Sequence, residues 1–280
     1  MTKTCDLHTH STYSDGTYSP AELIDAALEI GLSAIALCDH NMTDGLPEFL
    51  SAANGKNIDA VPGTEISVDY NGKELHLLAL YIHEQYFGQL ADIFRRTDKL
   101  KDESNRDLIA SLNKAGYDVD YETIKASQPN GKFNRAHIAR ALTEKGYTAS
   151  IKEAFNTLLR PEHGHYKEPE RLKFSDTVSL IKSIGAVPVL AHPFLQLNEA
   201  ELTDLLPIAK EAGLAGMECL YSEYNESQTR KAFELADKFN LIYSGGSDFH
   251  GENKPHIKLG TGMGNLTIPY EWAVKLKSAE

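Results

Sequence analysis

Hydrophobic and polar positions change period several times along this chain. Residues 3–10, KTCDLHTH, have no helical period and read as a strand. In a strand alternate side chains share a face, so His8 and His10 point the same way. The Ser, Asp and Gly of STYSDGT then make a turn that carries Asp15. SPAELIDAALEIGL is a helix, with Ser19 as N-cap, Pro20 at the first helical position, Glu22 at N3 and Gly31 as its stop. SAIALCDH follows as a buried strand ending at His40. After the loop-and-helix stretch NMTDGLPEFLSAANGKN come two more strands, IDAVPGTEISV with Glu65 and KELHLLALYI with His76. Strands alternating with helices are the pattern of a parallel sheet or barrel.

From about Gln89 to Pro161 the pattern becomes almost wholly helical and more charged. ADIFRRTDKLKDESNRDLIASLNKAG is a long amphipathic helix ending at Gly116, FNRAHIARALTEKG a second ending at Gly146, and SIKEAFNTLLR a third. Strands resume at AVPVLAHP, GMECLY and LIYSGGSDFH, preceded by the helices SDTVSLIKSIG, LTDLLPIAKEAG and NESQTRKAFELADKFN; WAVKLKSAE closes the sequence as a short helix. The expected organisation is an α/β barrel in two parts, residues 1–88 and 166–280, with a helical insertion over 89–165 acting as a lid.

Composition narrows the partners. With 28 Lys and Arg against 40 Asp and Glu, the net charge of −12 argues against a broad face for duplex DNA. No run of apolar residues is long enough for a membrane span, and the first residues enter a strand with no apolar signal region. Cys5, Cys38 and Cys219 are far apart and form no CxxC pair. These features lead to the expectation of reduced thiols in a cytoplasmic protein with no obligate protein partner.

The chemistry-bearing residues fall at the expected strand ends: His8, His10, His40, Glu65, His76, His192, Asp248 and His250, with Asp15 in the first loop. A parallel barrel gathers the C-terminal ends of its strands on one face, so these positions would meet in one pocket. Six imidazoles and three carboxylates without a thiolate suit Mn²⁺, Fe²⁺ or Zn²⁺. Nine ligands exceed what one ion can use, which points to a binuclear or trinuclear site. Cys38, two residues before His40, reads as a buried core thiol.

DLHTHSTYSDG, LCDHN, GTEIS, ELHLLALYI, AHP and GGSDFHG, in that order, resemble the motifs of the PHP (polymerase and histidinol phosphatase) superfamily. FNRAHIARAL and GENKPHIKLG resemble its nucleotide branch, which holds 3′,5′-nucleotide bisphosphate phosphatases and 5′-to-3′ exoribonucleases. The resemblance implies a distorted (β/α)₇ barrel with a trinuclear site, two or three divalent ions per chain and Mn²⁺ foremost. His8, His10, Glu65 and Asp248 would hold the first ion. Glu65 would bridge to a second held by His76 and His192, and Asp15, His40 and His250 would hold a third. Family members usually read Asp-His-Asp where this chain has Asp39-His40-Asn41, so a change behind the ligands is expected at Asn41.

The implied reaction is hydrolysis of a phosphate monoester of a nucleotide, foremost a nucleoside 3′,5′-bisphosphate, by a metal-bridging hydroxide. Three dications, three carboxylates and one hydroxide sum to a local charge of about +2, so an acidic protein can still attract a small phosphorylated substrate. Arg135 and His137, at a helix start that favours anions, are expected on the substrate phosphate, with Asn105, Arg106 and His250. Lys254 is a further candidate, while His83, His163, His165 and His256 read as surface or loop residues. Tyr117, Tyr121, Phe133 and Tyr147 read as core of the insertion rather than a platform for stacked bases. Alternatives are trimming of short RNA from its 5′ end, histidinol phosphate hydrolysis, amide hydrolysis and a non-catalytic binding module. The complete set of nine ligand positions argues against the binding module.

Overall fold

A computed structural model of the chain describes residues 3–127 and 134–279; Phe133 lies outside them. Seven strands form one sheet in sequence order: β1 (Cys5–Thr9), β2 (Ala34–Leu37), β3 (Asp59–Tyr70), β4 (Lys73–Leu80), β5 (Val187–Leu190), β6 (Gly216–Tyr221) and β7 (Ile242–Gly246). The segment after β7 returns to β1 through Asp248 N–H to the His8 carbonyl (2.8 Å) and His10 N–H to the Phe249 carbonyl (2.9 Å). The sheet is thereby nearly closed into a barrel. Gly246 is required at this closure, because a Cβ there would lie 2.2 Å from that of His8.

Ten α-helices accompany the sheet among the described residues: α1 (Pro20–Glu29), α2 (Leu46–Ala53), α3 (Phe87–Lys114), α4 (Tyr121–Ala126), α5 (Arg135–Glu144), α6 (Ile151–Ala154), α7 (Phe174–Ser183), α8 (Glu199–Ala212), α9 (Glu226–Lys238) and α10 (Tyr270–Lys277). None is long and apolar enough to cross a membrane. α1 starts as its sequence requires: Ser19 accepts from Glu22 N–H, and the Glu22 carboxylate accepts from Ser19 N–H.

One expectation is corrected. The sheet is not wholly parallel, because β4 runs antiparallel to both β3 and β5. Asn71 and Gly72 join β3 to β4 with φ of 52° and 79°, the pair of positive values that a tight primed hairpin demands. Asn-Gly between two alternating runs was the available signal. Consequently Glu65 lies in the middle of β3, and His76 lies early in β4 opposite Ser67, so neither occupies a C-terminal strand end. Because β4 runs backwards, its beginning sits at the end of the sheet where the parallel strands finish, and His76 still reaches their side chains.

Alternation sorts the two faces. Ile66, Val68, Leu75, Leu77, Met217 and Cys219 pack under α7, α8 and α9, while Val61, Leu78, Val187 and Val189 join Ala273 and Leu276 of α10. Ile35 and Leu37 of β2 are covered by α1 and α2. Each such buried aliphatic contributes roughly 1.5–3 kcal/mol, enough in sum to hold polar groups in the same interior.

The chain divides into two compact units, Met1–Phe94 with Leu172–Glu280, and Arg95–Arg171. The first boundary falls inside α3, since a helix can continue without a break through a change in charge content. The second unit has its own core, centred on Leu108, Leu112, Ile138, Leu142 and Leu159. It also contains α4, capped by Asp120, which the three-helix reading did not include. Tyr121 is buried in that core and Tyr117 packs at its margin. Tyr147 corrects the core reading: it is 39 % exposed, and its hydroxyl accepts from Asp118 N–H.

Candidate metal centre

The first unit brings all nine candidate ligand residues together. β1 carries His8 and delivers His10 directly after it, and the following turn carries Asp15. His40 follows β2 and bridges to Glu65 of β3, with Asn41 N–H donating to the Glu65 carbonyl. His192 follows β5, while Asp248 and His250 follow β7. His192 and Asp248 have positive φ, 24° and 56°, which is uncommon for residues with side chains and concentrates at functional sites.

Four groups of ligand-type atoms have all members within 4.8 Å of one another: His8, His10, Glu65 and Asp248; His10, Asp15, His40 and His250; His40, Glu65 and His76; and His8, His192 and Glu218. Glu65 is the common neighbour. Its Oε1 lies 2.7 Å from His76 Nδ1 and 2.8 Å from His192 Nε2, and its Oε2 lies 3.0 Å from His40 Nδ1. His10 Nε2 is 3.0 Å from Asp248 Oδ1, and His250 Nε2 is 3.2 Å from Asp15 Oδ1.

These residues fit divalent cations. Buried polar groups are normally hydrogen-bonded. Yet His8 Nε2, both ring nitrogens of His10, Glu65 Oε2 and His76 Nδ1 are buried here without a hydrogen bond. Unpaired imidazole and carboxylate atoms turned towards one another are a donor set for metal. Cys38 takes no part: its thiol donates to the Leu7 carbonyl, and burial pushes its pKa up.

The electrostatics show how much charge the cluster carries. Burial disfavours the charged form of His76, but the Glu65 carboxylate outweighs it and raises the pKa to about 10. His8 and His40 are also raised against burial, His8 by Glu65, Glu218 and Asp248, and His40 by Glu65 and Asp15. Burial alone would raise Glu65, but His40, His76 and His8 hold it well below the usual carboxylate range. For His10 burial dominates and lowers the pKa to about 3.

Behind the candidate ligands stand groups that motif spacing missed. Asp6, fully buried, accepts from Ser247 N–H (2.8 Å), Ser247 Oγ–H (2.5 Å) and Gly260 N–H (2.8 Å), which fixes the chain beside Asp248. Asp39 accepts from Ser11 N–H (2.8 Å) and from the Ser11 and Ser14 hydroxyls (2.6 and 2.5 Å), which fixes the loop carrying Asp15. Tyr221 Oη and Lys254 Nζ donate to Asp248 Oδ2 at 2.9 and 2.7 Å, leaving Oδ1 towards His10. Glu218 accepts from His8 Nδ1–H. A charged residue inside an otherwise apolar strand such as GMECLY was the available signal. Asn41, the departure from the usual motif, accepts from Ser67 N–H (3.1 Å) and donates to Ser67 Oγ (3.4 Å), at a positive φ that Asn tolerates.

The candidate substrate contacts of the insertion lie in the second unit, and the structure gives them local partners. Asn105 is buried on α3. Arg106 bonds Asp102 and Glu122 and stacks on Tyr121 at 3.6 Å. Arg135 donates to the Leu159 carbonyl (3.0 Å) and lies over the Tyr166 ring at 4.0 Å. His137 Nδ1 accepts from Asn134 N–H, completing the cap of α5. His165, expected at the surface, is half-buried against Ser111 and Tyr117.

Residues 6–168 match the PHP domain, and the chain belongs to that family. It is 30 % identical to a 5′-3′ exoribonuclease of Haemophilus influenzae, over 89 % of this chain and 91 % of that one. It is 30 % identical to a 3′,5′-nucleoside bisphosphate phosphatase of Chromobacterium violaceum, over 88 % and 86 %. Likewise it is 28 % identical to a phosphoribosyl 1,2-cyclic phosphate 1,2-diphosphodiesterase of Eggerthella lenta, over 90 % and 97 %. The fold is shared with a candidate metal-dependent phosphoesterase from Bifidobacterium adolescentis, with a TM-score of 0.71 at 23 % identity over 99 % of this chain and 96 % of that one. The chain is thus a metal-dependent phosphoesterase.

Proposed function

We propose that this enzyme removes a phosphate from a nucleoside 3′,5′-bisphosphate, using two or three divalent ions, Mn²⁺ foremost, held by His8, His10, Asp15, His40, Glu65, His76, His192, Asp248 and His250. The observation that carries the reading is the gathering of these nine side chains around buried ring nitrogens and a carboxylate oxygen that have no hydrogen bond. The relative from Chromobacterium violaceum supports the substrate.

Bound divalent cations would supply charge neutralisation for the phosphate and a water acidified enough to attack phosphorus. The protein's part is orientation. His8 and His10 present ring nitrogens beside Glu65 and Asp248, and Lys254 and Tyr221 hold the far oxygen of Asp248. The resemblance assigns Asn105, Arg106, Arg135 and His137, with His250, to the substrate phosphate. Arg106 would exchange Asp102 and Glu122 for that phosphate, whereas Arg135 is already ordered by Tyr166 and Leu159.

A second reading, 5′-to-3′ trimming of short RNA, is favoured by the relative from Haemophilus influenzae. The test offers manganese-loaded protein adenosine 3′,5′-bisphosphate, AMP, histidinol phosphate, phosphoribosyl 1,2-cyclic phosphate and a 5′-phosphorylated RNA trimer. Phosphate release fastest from the bisphosphate is the expected result. Mononucleotides released in preference from the trimer would establish the second reading instead. No turnover of any nucleotide by metal-loaded protein would refute both.

A further inference from the structure

Glu218 is a buried carboxylate that none of the nine candidate positions includes. It lies on β6, is 0 % exposed, and alternates with Met217 and Cys219, which pack under the helices on the other face. Its two oxygens are divided between β1 and the segment that follows β5. Oε1 lies 3.0 Å from His8 Nδ1, and Oε2 accepts from the His192 backbone N–H at 2.7 Å.

Each bond has a consequence. A carboxylate accepts, so His8 in its neutral, metal-binding form carries its proton on Nδ1 and its lone pair on Nε2. Nε2 is the atom left without a hydrogen bond, 3.3 Å from Glu65 Oε2 and 3.7 Å from Asp248 Oδ1. The second bond anchors the backbone N–H of His192, whose φ of 24° is uncommon for a non-glycine residue. That backbone places His192 Nε2 2.8 Å from Glu65 Oε1, with its ring stacked on that of His8 at 5.5 Å.

We propose that Glu218 is a positioning residue that prepares two parts of the metal centre at once, fixing the tautomer of His8 and the strained backbone of His192. This inference rests on the metal-centre reading above. Outer carboxylates of this kind typically change metal affinity by about 10- to 100-fold. Glu218 also lies close enough to His8 and His192 to be considered a ligand, and the test separates the two roles.

Glu218→Gln retains shape but has one accepting oxygen for two donors. Zinc binding is measured by competition with a chromophoric chelator, and zinc content at saturation by elemental analysis, for the wild type and Glu218→Gln. The expected result is affinity lowered by about 10- to 100-fold with full content at saturation. Unchanged affinity would overturn the proposal, and so would the loss of one zinc equivalent at saturation, which marks a ligand. Failure of the wild type to bind zinc would instead sink the metal-centre reading itself. Should Glu218→Gln not fold, two-bond ¹H–¹⁵N correlation of His8 in the zinc-loaded wild type decides: a proton on Nδ1 is required, and a proton on Nε2 overturns the proposal.

Discussion

The barrel and the insertion both carry candidate functional residues, but they hold them differently. In the barrel the candidate ligands are fixed by sheet hydrogen bonds and by buried carboxylates behind them, and several ring nitrogens are left unsatisfied. In the insertion the charged candidates are satisfied where they stand: Arg106 by two carboxylates and a tyrosine ring, Arg135 by a carbonyl and an aromatic face. Unsatisfied buried groups cost free energy and persist where something else completes them. The barrel cluster can therefore take cations among its donors, whereas the charged candidates of the insertion already have partners.

The largest effect is expected in the barrel. Asp248→Ala removes an oxygen from one cluster and the acceptor of Tyr221 and Lys254, and should lower phosphate release by about 10³-fold or more. Activity within tenfold of wild type would break the contrast, because the site would then not depend on its buried carboxylates.

The second test removes metal with a chelator and follows thermal unfolding. Folding linkage predicts stabilisation of about 2.7 kcal/mol by a cation at 100 times its dissociation constant. The melting temperature should therefore fall on chelation and recover with Mn²⁺. Equal melting with and without metal would argue that the orphaned barrel atoms hold no ion.

Proton linkage gives a third. Free His76 has a pKa raised to about 10 and so carries a proton at neutral pH, and the pKa values of His8 and His40 are raised as well. Ligands must lose these protons, so loading at pH 7 should release them into a weakly buffered solution, and affinity should rise with pH. In the metal-free protein the sign follows from the raised folded pKa. Stability from the His76–Glu65 pair is fully present below about 6.5 and is lost as pH rises through about 10. Melting at pH 6 and pH 9, with and without metal, measures it; metal-free protein that gains stability over that interval would refute it.

Arg135→Ala sharpens the insertion side. If the insertion recognises substrate, kcat/KM should fall by about 10- to 100-fold with metal content unchanged, the scale of one charge-assisted hydrogen bond. A lower melting temperature with unaltered kinetics would reduce Arg135 to its contact with Leu159. The smallest effect belongs to Asn41→Asp. The carboxylate still accepts from Ser67 N–H, and the Ser67 hydroxyl, which accepts from the Asn41 amide, can turn to donate instead, so stability should change by about 1 kcal/mol or less. A larger loss would show that the amide donor is required beside His40.

The ligand-type residues were legible because each sits in a short local pattern: a paired HxH, a His or Asp ending an apolar run, a Glu inside a strand. β4 shows the limit of that reading. His76 was drawn into the cluster on a parallel geometry that its strand does not have, since the Asn71-Gly72 hairpin reverses the chain; it lies beside Glu65 all the same. Asp6, Asp39 and Glu218 were not assigned to the site, because their partners, the Ser247 and Gly260 segment, the Ser11–Ser14 turn, and His8 with His192, are set by the fold rather than by spacing. Tyr147 failed for a related reason: it follows the stop of α5 at Gly146, in a stretch where no helical period says which side faces solvent.

The sequence by itself determined the helix starts, the strand runs, the metal-type donors and their order, because those depend on periodicity, caps and chemical type over a few residues. Only the tertiary structure decided which oxygen faces which ring nitrogen, which carboxylates stand behind the ligands, and which nitrogen of His8 faces Glu218. Those follow from contacts between residues as far apart as His8 and Glu218, brought within 3.0 Å by the near-closure of one sheet.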